Sequence, residues 1–184
     1  MTTEHDKGCG VTRDVVAEYQ EDLLGIPVVL MKAVILEVDQ ETGEETYTIP
    51  DMPGLIAAVA VTRCLLPLKL SGRDVRFLRK ALDMSGRELA KELDVKPETL
   101  SRWENDGQTM GGYAEKIFRQ YVCAMLHKRA PAIDYDPGDI IRLEIMVVRD
   151  ANNLPPLIFE RVKLKSAELR TKVSQWDLVE SLTA

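Results

Sequence analysis

The chain has 184 residues, 45% of them hydrophobic, and a formal net charge of −6; that is enough length for one to two small domains with a buried core. No apolar run reaches the roughly 18 residues of a membrane span, and the acidic, polar start MTTEHDKG is unlike a signal peptide. Three widely spaced cysteines, Cys9, Cys64 and Cys123, do not make a disulfide framework, so a cytoplasmic protein with reduced thiols is expected.

In chain order, residues 1–13 read as loosely held. Residues 14–24 (DVVAEYQEDLL) read as a short helix or an irregular lead-in, broken by Gly25-Ile26-Pro27. Residues 28–38 (VVLMKAVILEV) are rich in β-branched side chains and predict one strand. Residues 39–44 predict a turn in which Gly43 can take positive φ, and residues 45–49 return as the second strand of a hairpin. Asp51 followed by Pro53 is a helix start, and residues 55–66 predict a mostly apolar helix that Pro67 ends.

Residues 71–106 (SGRDVRFLRKALDMSGRELAKELDVKPETLSRWEND) carry the strongest pattern. Val75, Leu78, Ala81 and Leu82 share one helix face, with Ser71 placed to cap it. Ser85 caps a second helix, with Glu88 three residues on at capping-box spacing. Leu89, Ala90 and Leu93 form that helix's buried stripe. Asp94-Val95-Lys96 allows only a sharp corner, and Pro97 starts a third helix where its missing N–H is harmless. Leu100 and Trp103 turn inward, leaving Glu98, Thr99, Ser101 and Arg102 outside. Residues 69–129 hold 13 Lys and Arg against 9 Asp and Glu, a local net of +4, whereas residues 1–68 hold 4 against 12 and residues 130–184 hold 7 against 9. Only the helical segment has the sign that suits phosphates.

Arg76-Phe77-Leu78-Arg79, Glu88-Leu89-Ala90 and Thr99-Leu100-Ser101-Arg102-Trp103-Glu104 resemble the Xre/Cro repressor family, and within it the DNA-binding half of MqsA-type antitoxins. The resemblance spans residues 69–125. It implies a lambda-repressor-like helical domain whose third helix enters the major groove. More weakly, residues 1–68 resemble the zinc module of those antitoxins, which carries two C-x-x-C pairs. Here the four positions read Asp6, Cys9, Asp39 and Thr42, so a metal-free relic of that module is expected, with neither metal nor cofactor.

Beyond the third helix, residues 105–112 predict a polar, glycine-rich loop. Residues 113–128 predict a helix with Ile117, Phe118, Tyr121, Val122, Met125 and Leu126 along one face, whose leftover apolar positions suit either core packing or a dimer seam. Residues 131–138 read as a linker or turn. Residues 140–148 and 157–164 predict two strands of a C-terminal hairpin, residues 166–172 a helical stretch and residues 176–182 a short amphipathic segment. The expected fold is α+β: an N-terminal α+β domain (1–68), a helix-turn-helix domain (69–129) and a C-terminal hairpin region (130–184) that supplies a dimer interface.

Arg102 is the leading base-reading candidate, since arginine pairs bidentately with guanine; its competing role is a phosphate contact or an ion pair with Glu98. Lys96, Glu98, Thr99 and Ser101 are the other groove-facing positions, with Glu98 able to accept from cytosine N4 or simply to favour the helix N-terminus. Many repressors of this type carry Gln at the position of Gly86; here Arg87 or backbone N–H groups would hold the phosphate. Arg73, Arg79, Lys80 and Lys91 are either backbone contacts or solvated. His5 and His127 lie in unlike contexts and no catalytic motif appears, so an enzyme is not expected. Two functions remain: a dimeric repressor on a palindromic operator of double-stranded DNA, or an antitoxin that binds a toxin protein and regulates its own operon.

Overall fold

The computed structural model describes residues 10–23, 25–147, 155–165 and 172–179. Its N-terminal part is one long antiparallel hairpin bent at a bulge. β1 (Val11–Val15) pairs with β4 (Ile35–Asp39), and β2 (Glu18–Leu23) with β3 (Ile26–Met31). Between the two ladders, Val16 and Ala17 face Lys32, Ala33 and Val34. One extra residue is therefore inserted, with Lys32 at φ +49°. Val16 N donates to Val34 O at 2.9 Å and Lys32 N to Ala17 O at 3.0 Å. The bulge splits what the sequence predicted as a single strand over residues 28–38. It also separates two environments. β3 buries Ile26, Val28, Val29 and Leu30, whereas in β1, β4 and the returning β5 (Glu45–Thr48) no side chain is fully buried.

Two further stretches differ from their expected conformation. Residues 14–23 are not helical: Glu18, Gln20 and Asp22 point outward while Tyr19, Glu21 and Leu23 are more covered, the two-residue period of an edge strand. Val11, Thr12 and Arg13 are paired with residues of β4 rather than loosely held. The turn over residues 39–44 and the return strand β5 occur as expected, with Gly43 at φ +70°.

The second sheet has the order β2-β3-β6-β7 and joins both ends of the chain. β6 (Leu157–Lys165) runs parallel to β3, pairing Val28 with Leu157 and Leu30 with Phe159. β7 (Lys172–Leu178) returns antiparallel to β6. The strand predicted over residues 140–148 is not formed among its described residues, 140–147. Asp136 caps a short helix α6 (Pro137–Arg142) through Gly138 N, the proline fits its first turn, and Ile140 is buried. Of the rest of that run, Met146 makes one isolated bridge to Leu68. The hairpin partner of β6 is thus β7, which absorbs Trp176, and both strands serve the subunit's own sheet. Residues 166–171 and 180–184, where a helical stretch and the end of an amphipathic segment were expected, lie outside the described residues.

Helix α1 (Met52–Leu65) runs through the middle. It is buried almost all round, from Leu55 to Cys64 with only Ile56 half-covered, as a helix between two layers must be. One side meets β7 and the other meets α5 (Gly112–Leu126), which continues into a single 3-10 turn at His127–Arg129. Trp176 Nε1 donates to Asp51 O at 3.1 Å, and the Arg161 guanidinium lies 5.1 Å from the Trp176 ring centre. Cys64 and Cys123 are free thiols, both buried. Burial, then the neighbouring Cys123, pushes the Cys64 thiol well above its usual pKa, so it is inert. No helix among the described residues is long and apolar enough to cross a membrane.

The connector from α1 to α2 (Gly72–Ala81) is threaded through buried charges. Arg63 grips Asp74 with two hydrogen bonds, 2.9 and 2.8 Å, and donates to Leu68 O and Lys69 O. Arg119 donates to Glu115 Oε1 at 2.8 Å and to the carbonyls of Cys64, Leu66 and Leu68. Glu115 Oε1 also accepts from Leu70 N at 3.0 Å, and Glu115 Oε2 forms an ion pair with Lys69, outside hydrogen-bond geometry. Removing one member of such a pair strands its partner's charge and costs about 3–5 kcal/mol, whereas exposed pairs contribute about 0–1 kcal/mol. Arg119→Met is therefore expected to lower the urea-unfolding free energy by about 3–5 kcal/mol. Arg142→Met, which breaks the exposed pair with Asp139, serves as the reference. Equal losses in the two variants would deny the cluster its structural weight.

Candidate nucleic-acid interface

Three helices present the candidate surface: α2, α3 (Gly86–Glu92) and α4 (Pro97–Glu104). The first two begin with full capping boxes. Ser71 Oγ accepts from Asp74 N while Ser71 N donates to Asp74 Oδ2; Ser85 and Glu88 repeat the exchange. The Ser85 hydroxyl, then its N–H, holds the Glu88 carboxyl below the usual carboxylate range. The α3–α4 corner turns on Asp94 at φ +51°, and Val95 N donates back to Ala90 O at 2.9 Å. Val75, Leu78, Leu89, Ala90, Leu100 and Trp103 are buried, as their spacing requires, and Phe77 joins them.

Helix α4 divides cleanly by face. Lys96, Glu98, Ser101 and Arg102 are exposed and Thr99 is half-buried, so five of the six candidate residues line one outward ridge. Among the described residues no ion pair joins Arg102 to Glu98; the Arg102 carbonyl instead accepts from Gly107 N and Gln108 N to close the turn after the helix. Arg87 is exposed at the start of α3, on the rim of a shallow cleft also lined by Ser85, Gly86, Pro97 and Ser101. A Cβ on Gly86 would meet nothing, so that position is open.

The back of α4 is pinned. Arg79 Nε donates to Glu104 Oε1 at 2.5 Å, and Arg79 Nη1 to Met84 O at 2.8 Å. Arg79 is thus held within the fold rather than free for a DNA-backbone contact or solvated, unlike the exposed Lys80 and Lys91. Arg73 leans toward Gly25 O at 3.4 Å. Arg76 donates to Glu104 O and Asn105 Oδ1, and Gly72 N donates to Asp106 Oδ1. A Cβ on Gly72 would sit 2.7 Å from the carbonyls of Trp103 and Glu104. These locks escaped sequence reasoning. Glu104 lay inside a motif already singled out, but its partner Arg79 looks like any solvent-facing cation of α2.

Two capped helices, a tight corner and a third helix with one free polar ridge define a helix-turn-helix module for the major groove. Residues 75–120 match the family model described as Helix-turn-helix, and the match supports an Xre/Cro-like regulator that binds DNA. No curated protein and no solved structure matches the chain.

The zinc-module positions are a poor fit to a metal. Asp39 Oδ1 accepts from Thr42 N and Glu41 N, which lowers its carboxyl pKa, and Thr42 Oγ1 accepts from Glu44 N. Both side chains close their own turn, and neither is the thiolate a structural zinc site favours. Asp6 and Cys9 lie outside the described residues. Protein purified without chelator is expected to carry no stoichiometric zinc by elemental analysis. One zinc per chain, lost in Cys9→Ser, would restore the metal module.

Proposed function

We propose that the protein is a sequence-specific transcriptional repressor that acts in the cytoplasm, binds a palindromic operator as a homodimer and has no enzymatic activity. The observation that carries this reading is the outward ridge of α4: Lys96, Glu98, Ser101 and Arg102 are exposed with Thr99 half-buried beside them, while the opposite face is locked by Leu100, Trp103 and Glu104. Arg102 is the principal base reader, Glu98, Thr99 and Ser101 its neighbours in the groove, and Lys96 and Arg87 approach the phosphates. A single module reads about half a site and binds weakly through phosphates alone at physiological salt. A local net charge of +4 over residues 69–129 is modest, which favours two copies on a symmetric site. A second reading, an antitoxin with a protein partner, is favoured by one observation. The sheet β1-β4-β5 has no fully buried side chain and is acidic, a surface open to a basic protein.

Selection from random-sequence duplexes would supply the operator. Arg102→Ala is expected to weaken binding to it by about 1–3 kcal/mol and to relax preference at one base pair, with little change on scrambled duplex. An equal loss on both duplexes would make Arg102 a phosphate contact, and the absence of any selected sequence would end the repressor reading.

A further inference from the structure

One face of the sheet β2-β3-β6-β7 joins the core around α1 through Val28, Leu30, Leu157 and Phe159. Alternate residues point the other way. There Glu18, Gln20, Asp22, Pro27 and Glu160 are exposed, so this second face meets solvent. It is not a purely polar face. Val29 is buried and Met31, Ile158 and Val162 are half-buried, yet none of the four belongs to the core around α1. They form a stripe along the two central strands, where Val29 pairs with Ile158. Those strands are parallel, a pairing normally covered on both faces. Acids border the stripe on both edge strands, Glu18 and Asp22 on β2 and Asp177 on β7, and Glu160 stands between them. Glu160 lies directly opposite Asp177, a like-charge pairing that costs stability. Among the described residues this face holds no Lys or Arg, and no ion pair includes any of the four carboxylates.

We propose that this face is a docking surface for a helix of a partner protein, one whose apolar stripe is bordered by Lys and Arg. The inference is independent of the repressor reading, and it places a protein partner elsewhere than the sheet β1-β4-β5. Charge selects the occupant. Four carboxylates around one stripe would repel nucleic acid, an anionic lipid surface and the same face of a second copy. The chain's own stretches outside the described residues are not basic. Residues 1–9, 148–154, 166–171 and 180–184 have net charges of −1, 0, 0 and −1. A helix is the element that covers the open face of a parallel pair, and an amphipathic helix lays its apolar side on such a stripe. The dimensions agree. Strands about 4.8 Å apart set β2 roughly 14 Å from β7, and a helix with its side chains is about 10 Å wide. Long basic side chains at the helix borders then reach the acids on both edge strands. Because α1 stands between this sheet and α5, the partner would sit away from the α4 ridge.

The probe is a synthetic peptide of leucine and lysine, about 18 residues or roughly 27 Å of helix, with its leucines on one helix face. Its binding to the full chain is followed by fluorescence anisotropy at physiological salt. The wild type is expected to bind it about tenfold more tightly than a peptide of the same composition whose leucines are spread around the helix. Glu160→Lys and Asp177→Lys should each weaken the striped peptide about tenfold. Glu45→Lys, on the exposed strand β5 of the other sheet, should match the wild type, and circular dichroism should be unchanged throughout. Equal binding of the two peptides by the wild type overturns the proposal, because charge alone then suffices. A loss confined to Glu45→Lys also overturns it and moves the partner to β1-β4-β5. Failure of the wild type to bind either peptide does the same, as happens if the chain's own ends lie on the face. So does a wild type that is dimeric by sedimentation velocity and becomes monomeric in Glu160→Lys, since the occupant is then a second copy.

Discussion

Two guanidinium groups hold the connector between α1 and α2, and the orientation of the DNA-binding helices depends on them. Pro67 forbids α1 to continue, so the carbonyls of Cys64, Leu66, Leu68 and Lys69 emerge at a buried helix end without helical partners. Unpaired, each would cost free energy comparable to a lost hydrogen bond. Arg63 and Arg119 satisfy them together, because one arginine fork serves several acceptors in a fixed plane. Each fork is neutralised from a different helix: Arg63 by Asp74 of α2, Arg119 by Glu115 of its own α5. Buried ion pairs are poor sources of net stability compared with apolar packing. What this cluster contributes is direction, since α1, α2 and α5 can meet its fixed geometry in one arrangement.

From that junction a chain of rigid contacts runs in both directions. Toward the sheet, Trp176 of β7 donates to Asp51, the cap of α1, and Arg161 of β6 spans Trp176 and Pro50 O. Toward the DNA-binding ridge, Asp74 both pairs with Arg63 and closes the capping box of α2, and α2 in turn grips α4 through Arg76 and Arg79. The helix-turn-helix is therefore not a bead on a linker. Its first helix is fastened to a body made from both ends of the chain, because β3 and β6 come from opposite termini.

The parts legible in the sequence are those set by neighbours in the chain. Ser71 as a cap, Ser85 with Glu88, and the corner at Asp94 are local signals, and the apolar spacing from Val75 to Trp103 needs only helical period. What could not be read depends on distant partners. Nothing in residues 28–38 announces that Lys32 will take positive φ and break the strand in two, because both halves are equally β-branched. The apolar run after Pro137 looked like a strand, yet the cap at Asp136 and the contact of α6 with α5 decided otherwise. Arg79 and Lys80 are adjacent cations. Only the arrival of Glu104, 25 residues on, makes one of them structural. On α4, the exposure of Glu98, Ser101 and Arg102 was legible because it follows directly from where Leu100 and Trp103 must go.

That division of α4 has a consequence for how such a surface changes. Every residue that orients the helix, namely Leu100, Trp103 and Glu104, with Gly72, Arg76 and Arg79 across from it, lies on the side away from the ridge. The ridge residues hold no internal hydrogen bond or ion pair through their charged groups among the described residues, so replacing them leaves no buried partner stranded. Substitutions at Glu98, Ser101 and Arg102 should then stay within the ±0.5 kcal/mol typical of plain surface positions. The residues that fix the helix and its exposed side chains thus lie on opposite faces of one eight-residue helix, and the grip of Arg76 and Arg79 on its C-terminal end lets the outer face vary without moving the helix that presents it.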